Sequence, residues 1–168
     1  MSAHSKFAPS KAHIWMSCPG SVKLTQNMPS TTSSAAEEGI KAHELAAKCL
    51  LEKKDAWEIC RDSNMNLAVQ RYLDEVKDIQ KMGLDTEAVE VKLSCPDFEK
   101  DLYGTADYCA VLKKPKTLVV LDYKHGAGVV VEVKDNPQLK VYAFMRLLTI
   151  GQTIDEVAMG IVQPRAAV

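Results

Sequence analysis

The run Thr117-Leu118-Val119-Val120-Leu121-Asp122-Tyr123-Lys124 constrains this chain more than any other stretch. An almost unbroken series of aliphatic residues, without polar alternation, suits a strand buried on both faces. Such a strand lies inside a sheet with cover above and below. Side chains alternate across a strand, so Val120, Asp122 and Lys124 share one face while Val119, Leu121 and Tyr123 share the other. The run therefore ends by carrying an acid and a base out of its apolar part on the same side, where unpaired charges are costly.

Two stretches upstream also read as strands. EAVEVKL (87–93) alternates, and LYGTADYCAVL (102–112) alternates after its glycine. The polar LKKPK (112–116) has the length of a hairpin loop. If it joins an antiparallel pair, the register that sets Val111 opposite Leu118 also sets Asp107 opposite Asp122.

Around these strands the period changes to that of helices. Ser34-Ala35-Ala36-Glu37 has capping-box spacing and predicts a long helix from Ser34 through EGIKAHELAAKCLLEKK. Ile40, His43, Ala47, Leu50 and Leu51 fall on one stripe of it, which turns His43 inward. A second helix is predicted over 64–82, where Met65, Val69, Tyr72, Val76 and Ile79 recur at spacings of four and three before Gly83. Asn136-Pro137 reads as the N-cap and first-turn proline of a third helix, QLKVYAFMRLL, which Gly151 ends. EVAMGIVQP (156–164) reads as a last strand. This order predicts an α/β fold, a mixed β-sheet flanked by helices. Residues 1–33, rich in Ser, Thr, Pro and Lys, read as a partly ordered N-terminal arm with a short helix inside SKAHIWMSCPGS, and 34–168 as a single domain.

Composition narrows the function. Lys+Arg 21 against Asp+Glu 22 leaves a net charge of -1, so a polyanion would have to be held by a local site rather than by the field of the whole molecule. The five cysteines are odd in number, widely spaced and form no CxxC pair, as expected of reduced thiols in the core or simply as bystanders. The N-terminus lacks the apolar stretch of a signal peptide, and no window approaches the roughly 18 apolar residues of a membrane span. The expectation is an intracellular protein that engages no membrane. Trp15 and Trp57 are expected to pack, and Lys113, Lys114 and Lys116 fit either phosphate contact or a solvated hairpin tip.

Two carboxylates and a lysine at the end of a buried strand require compensation. A divalent cation would supply it, because Mg²⁺ takes hard oxygen ligands, typically one or two carboxylates with water and phosphate. Lys124 beside it suits the stabilisation of charge on a phosphate.

Four motifs in order carry a resemblance: Gly39-x-x-x-His43, Gly104-Thr105-Ala106-Asp107, Asp122-Tyr123-Lys124 and Gln138-x-x-x-Tyr142. Together, over about residues 37–145, they resemble the PD-(D/E)XK nuclease superfamily in its RecB-like branch, most closely its phage and prophage-encoded group. The resemblance implies a restriction-endonuclease-like core and Mg²⁺- or Mn²⁺-dependent hydrolysis of DNA phosphodiesters. Asp107 and Asp122 would be catalytic metal ligands, with His43 and the Tyr123 carbonyl completing the set and Lys124 as the catalytic lysine. Glu90 would stand behind the ligands, and Gln138 and Tyr142 would border the site and touch DNA. An exonuclease acting on DNA ends in phage recombination or repair is implied, in the cytoplasm of a bacterial host. Its partners would be DNA, phage recombination proteins and further copies of the chain.

The sequence departs from the pattern in three places. Ala106 replaces the proline that names the superfamily, as is common in this branch. Some relatives hold an iron-sulfur cluster through one cysteine before the core and three after it; no cysteine follows Cys109 here, so no cluster is expected. Val168 follows soon after the last strand, whereas many relatives run further, which suits a minimal nuclease or a fragment.

Plainer readings stand beside these. His43 alone would read as a satisfied core histidine, and only the motifs around it turn it into a ligand. Asp122 and Lys124 alone would be a strand-end ion pair. Gln138 and Tyr142 also fit a polar edge and a packing tyrosine. Two further functions suit the same residues: a nuclease-like module that binds DNA or protein without cutting, and a structure-specific endonuclease of the junction-resolvase type.

Overall fold

A computed structural model describes residues 5–26, 28 and 33–166. A single 3₁₀ turn at Pro9–Lys11 leads into α1 (Ala12–Ser17) and α2 (Ser21–Thr25). Three helices follow, α3 (Ser34–Glu52), α4 (Ala56–Ile59) and α5 (Ser63–Lys81). Then come β1 (Leu84–Cys95), β2 (Glu99–Leu112) and β3 (Thr117–Tyr123), with α6 (Pro137–Thr149) and β4 (Glu156–Val162) after them.

The four strands make one mixed sheet in the order β1-β2-β3-β4. The β1–β2 and β2–β3 pairs are antiparallel, and β4 joins β3 in parallel. This is the α/β fold with a mixed sheet flanked by helices that the sequence predicts. β3 lies between two strands with helices over both faces, and all seven of its residues are buried. Tyr108, Ala110, Val119, Leu121 and Tyr123 pack under Ala42, Leu45 and Ala46 of α3 and Val69, Tyr72, Leu73 and Val76 of α5. Cys109, Val111, Leu118 and Val120 meet Leu139, Tyr142, Ala143 and Met145 of α6 on the opposite face.

The hairpin adopts the anticipated register, from Val111 opposite Leu118 to Tyr108 opposite Leu121. Its ladder stops there, before Asp107 and Asp122. Asn136 caps α6 as expected, its side chain accepting from the Leu139 N–H at 3.2 Å, with Pro137 in the first turn.

Other expectations need correction. α3 does begin at Ser34, but its cap is Ser33, whose Oγ accepts from the Ala36 N–H at 3.2 Å. The apolar stripe through Ile40, His43 and Leu51 is not the core face: Ile40 is 54% exposed and Leu51 70%. α3 carries a second apolar face of smaller residues, Ala42, Leu45, Ala46 and Cys49, and this one packs because it lets the helix approach closely. Trp57 does not pack; it is 59% exposed on the short α4. Trp15 does, with its indole N–H donating to the Ala8 carbonyl at 3.0 Å and its ring edge-on to Phe7.

β3 is much shorter than β2, so the early part of β2 lacks a strand partner on that side. Such an edge exposes backbone groups that need covering. Residues 5–9 supply the cover: the Phe7 N–H and the Ser5 hydroxyl both donate to the Asp101 carbonyl, at 3.2 Å and 2.7 Å. Gly104 lets the segment lie flat, because a Cβ there would stand 2.8 Å from Pro9 Cδ and 3.4 Å from Tyr142 Cε1. Gly104→Ala should therefore lift the N-terminal segment and cost about 1–3 kcal/mol. Urea denaturation and limited proteolysis would show this as lower stability and faster trimming of residues 5–26, and wild-type behaviour in both would contradict it.

Candidate metal centre

The site begins where the β2–β3 ladder ends. Instead of another backbone pair, the Asp107 carboxylate accepts the Tyr123 N–H through Oδ2 at 2.7 Å. Its other oxygen, Oδ1, lies 3.0 Å from His43 Nδ1 on α3. One side chain thus ties three elements together. Glu90 of β1 stands opposite Asp107 in the register that pairs Val89 with Tyr108 and Val91 with Ala106. Its backbone has φ +50°, a left-handed conformation uncommon for a non-glycine residue, of the kind that gathers at ligand sites. His43, Glu90 and Asp107 bring their potential ligand atoms within 4.8 Å of one another and form a cluster that could hold a metal ion. Glu90, which the resemblance puts behind the ligands, is inside this cluster.

Asp122 lies just outside it, on the α6 side. Its Oδ1 accepts from Gln138 Nε2 at 2.7 Å, and Lys124 Nζ is 2.8 Å from Oδ2. Gln138 also accepts from Lys124 Nζ through Oε1 at 3.0 Å, so acid, amide and ammonium form a closed triangle. Oδ2 is buried, and its partner among the described residues is the Lys124 ammonium. Tyr142, a turn beyond Gln138, is buried against the core and lines the same cleft. Tyr123 is fixed by its N–H and by its ring, whose centroid lies 5.3 Å from that of His43.

The charges interact. Burial pushes the Asp122 carboxyl up to about 6, with Asp107 adding to the shift and Lys124 opposing it. Glu90 is exposed, yet its partial desolvation raises its pKa, with Asp107 acting in the same sense. For His43 burial favours the neutral ring, but hydrogen bonding to Asp107 and the charges of Asp107, Asp122 and Glu90 outweigh it and raise its pKa. The site holds more negative charge than its own cations balance.

These groups face a cleft of about 1110 Å³. Ala36, Ile40, Ala47 and Leu51 of α3 form an apolar wall, which is where the stripe that misses the core lies. Lys48 and Lys124 are the basic residues lining the cleft, against Glu44, Glu52, Glu90, Asp107 and Asp122. Lys113 and Lys114 are exposed at the hairpin tip, while Lys116 Nζ is bound to Gln152 at 2.9 Å, and none of the three lines the cleft.

Sequence reasoning missed the residues that fasten the far end. His125 is buried, and its Nε2 lies 2.7 Å from Arg165 Nη1, which also donates to Glu38 of α3 at 2.7 Å. The same Nε2 lies 3.2 Å from Glu38 Oε1, and Nδ1 lies 2.8 Å from the Tyr123 hydroxyl. Gln163 holds the loop that follows, accepting from the Val131 N–H at 2.9 Å and donating to the Gly126 and Val129 carbonyls, both at 3.1 Å. These partners lie far apart in sequence, and no local spacing links them.

The donor set fits a divalent cation. Two ligands at right angles on an ion with bonds of ~2.1 Å stand ~3 Å apart, and His43 Nδ1 and Asp107 Oδ1 are 3.0 Å apart. One imidazole and two carboxylates, with the Asp122 carboxylate nearby, suit a hard or borderline metal ion. Fold and site together define a mixed α/β domain with a His/carboxylate cluster at the end of its sheet. The chain belongs to the family described as protein of unknown function (DUF2800), which matches residues 4–167. No solved structure matches it. Among the described residues, no helix is long and apolar enough to cross a membrane. The described cysteines are free thiols, with Cys18 exposed, Cys60 half-buried and the other three buried.

Asp122 yields a pH test in metal-free buffer. A carboxyl whose folded pKa is raised keeps its proton longer when folded, so stability is full below the unfolded value near 4 and falls as pH rises to about 6. Asp122→Asn mimics the protonated form. By pH 7 it should be more stable than the wild type by up to about 3 kcal/mol, the two converging near pH 4. Urea melts in EDTA across this range measure the difference; a constant gap would contradict it.

Proposed function

We propose that this protein is a metal-dependent deoxyribonuclease that hydrolyses DNA phosphodiester bonds, acting on DNA ends as an exonuclease in phage recombination or repair. The observation that carries the reading is the meeting of His43, Glu90 and Asp107 with the Lys124–Asp122–Gln138 triangle in one cleft. The resemblance of the four motifs to the RecB-like nucleases supports it further.

His43, Glu90 and Asp107 would hold the ion, Mg²⁺ or Mn²⁺, with Asp122 beside them. When bound, such an ion supplies positive charge for a phosphate oxygen and favours ionisation of a bound water. The protein's own residues do the rest. Asp107 is oriented from behind by the Tyr123 N–H, so its carboxylate does not rotate away from the cleft. Gln138 and Asp122 hold the Lys124 ammonium at 3.0 Å and 2.8 Å, placing a fixed cation where charge grows on the phosphate. Asp122, with its raised pKa, is suited to holding a water or a proton near that phosphate. Hydrolysis adds one water across a P–O bond, leaving a phosphomonoester and a hydroxyl. The apolar α3 wall offers sugar and base surfaces a face without competing charge.

The acidic lining bears on the substrate as well. With five carboxylates facing two lysines in the cleft, a phosphodiester is repelled unless metal charge neutralises the site.

Labelled linear, circular, single-stranded and double-stranded DNA incubated with Mn²⁺ should be degraded from its ends, with circles spared and EDTA stopping the reaction. Lys124→Ala should lower the rate by about 10²–10³-fold while leaving the fold intact. Retention of DNA without products would instead identify a binding module, cutting of junctions alone would identify a structure-specific endonuclease, and full activity of Lys124→Ala would remove the mechanism.

A further inference from the structure

Tyr72 of α5 is 1% exposed, and its hydroxyl has no hydrogen-bond partner. Buried polar groups in folded proteins are nearly always paired, so an exception needs an explanation. Packing accounts for the ring, which lies 4.9 Å from that of Tyr123, but not for the hydroxyl. A phenylalanine would fill the same space without the oxygen.

The hydroxyl's neighbourhood suggests its partner. Tyr72 lines a narrow void together with His43, Glu90 and Asp107, and this void admits no water-sized sphere. Solvent therefore does not satisfy the hydroxyl. Burial holds the phenol protonated, and the charges of Asp107, Asp122 and Glu90 act in the same direction, so Tyr72 keeps a proton to donate. Of the two carboxylates lining the void, Asp107 already uses both oxygens, on His43 and on the Tyr123 N–H. Glu90 is an exposed residue whose carboxylate has no hydrogen-bond partner among the described residues, and its backbone holds the left-handed φ of +50°. A buried hydroxyl without a partner and a carboxylate held by no donor of the protein border the same void.

We propose that Tyr72 is a positioning residue of the metal centre, its hydroxyl donating a hydrogen bond to the Glu90 carboxylate when the centre is loaded. The inference rests on reading His43, Glu90 and Asp107 as a cation site. Carboxylate ligands are commonly held by a hydrogen-bond donor behind them, which fixes their orientation. Tyr72 is left unpaired in the metal-free state and paired in the loaded one, so its hydroxyl favours loading and contributes nothing to the empty fold.

This predicts a split that a merely structural tyrosine would not show. In Tyr72→Phe, the metal-free protein should melt at the wild-type temperature or above it, because only an unsatisfied group is lost. Mn²⁺ binding, read by titration calorimetry, should weaken by about 10-fold. In a Glu90→Ala background, Tyr72→Phe should weaken the residual Mn²⁺ binding by much less, because the acceptor is gone. Equal Mn²⁺ affinity of Tyr72→Phe and wild type would overturn the proposal, as would a lower metal-free melting temperature or a full 10-fold effect in the Glu90→Ala background. If the wild type binds Mn²⁺ and only the Tyr72 effects are missing, this inference fails alone; if the wild type binds no Mn²⁺, the cation site fails with it.

Discussion

Backbone hydrogen bonding between β2 and β3 ends at the pair Tyr108 and Leu121, and the Asp107 carboxylate takes over the next donor, the Tyr123 N–H. Much of the site follows from this substitution. A strand end that closed with another backbone pair would leave Asp107 free to turn toward solvent. Here it is fixed from behind and presented to α3, where His43 meets it at 3.0 Å. The arrangement gathers negative charge in a place where desolvation has already raised Asp122 and Glu90. Protonation of His43 offsets part of that charge, and a divalent cation in the same place would offset more.

The elements divide the work. β1 contributes Glu90 through a distorted backbone, β2 contributes Asp107, and β3 delivers Asp122 and Lys124 as it leaves the core. α6 supplies Gln138, which bonds both partners of the ion pair and fixes their separation. The far side is tied by Arg165, which links Glu38 of α3 to His125 and through it to the Tyr123 hydroxyl. Because Tyr123 also touches His43 and Tyr72, the C-terminal segment and α5 both act on the positioning of the same cluster.

Much of the fold is legible in the sequence because period and caps are local. The buried run 117–123, the helix repeat at Val69, Tyr72 and Val76, and the Asn136-Pro137 cap all appear where the residues place them. The hairpin register follows from a five-residue loop, and it brings the residues after Leu121 close to Asp107 without indicating that the ladder would stop. Periodicity could not choose between the two apolar faces of α3: Ile40 and Leu51 look like core, yet the smaller Ala42 and Ala46 are the residues that pack. α4 did carry a signal, the Asp55 to Glu58 capping box, in a helix too short for periodicity to reveal. The approach of Pro9 to Gly104 and the bonds of Gln163 and Arg165 join distant segments, so nothing in their local sequence announces them.

Everything functional depends on whether a cation occupies the space between the α3 imidazole and the strand carboxylates. The most direct measurement is anomalous diffraction from crystals soaked in Mn²⁺. The expected result is a peak bonded to His43, Glu90 and Asp107, with the direct contact between His43 and Asp107 replaced by bonds to the ion. A map with no peak there, and with His43 still bonded to Asp107 while Mn²⁺ sits on exposed surface carboxylates, would contradict the assignment.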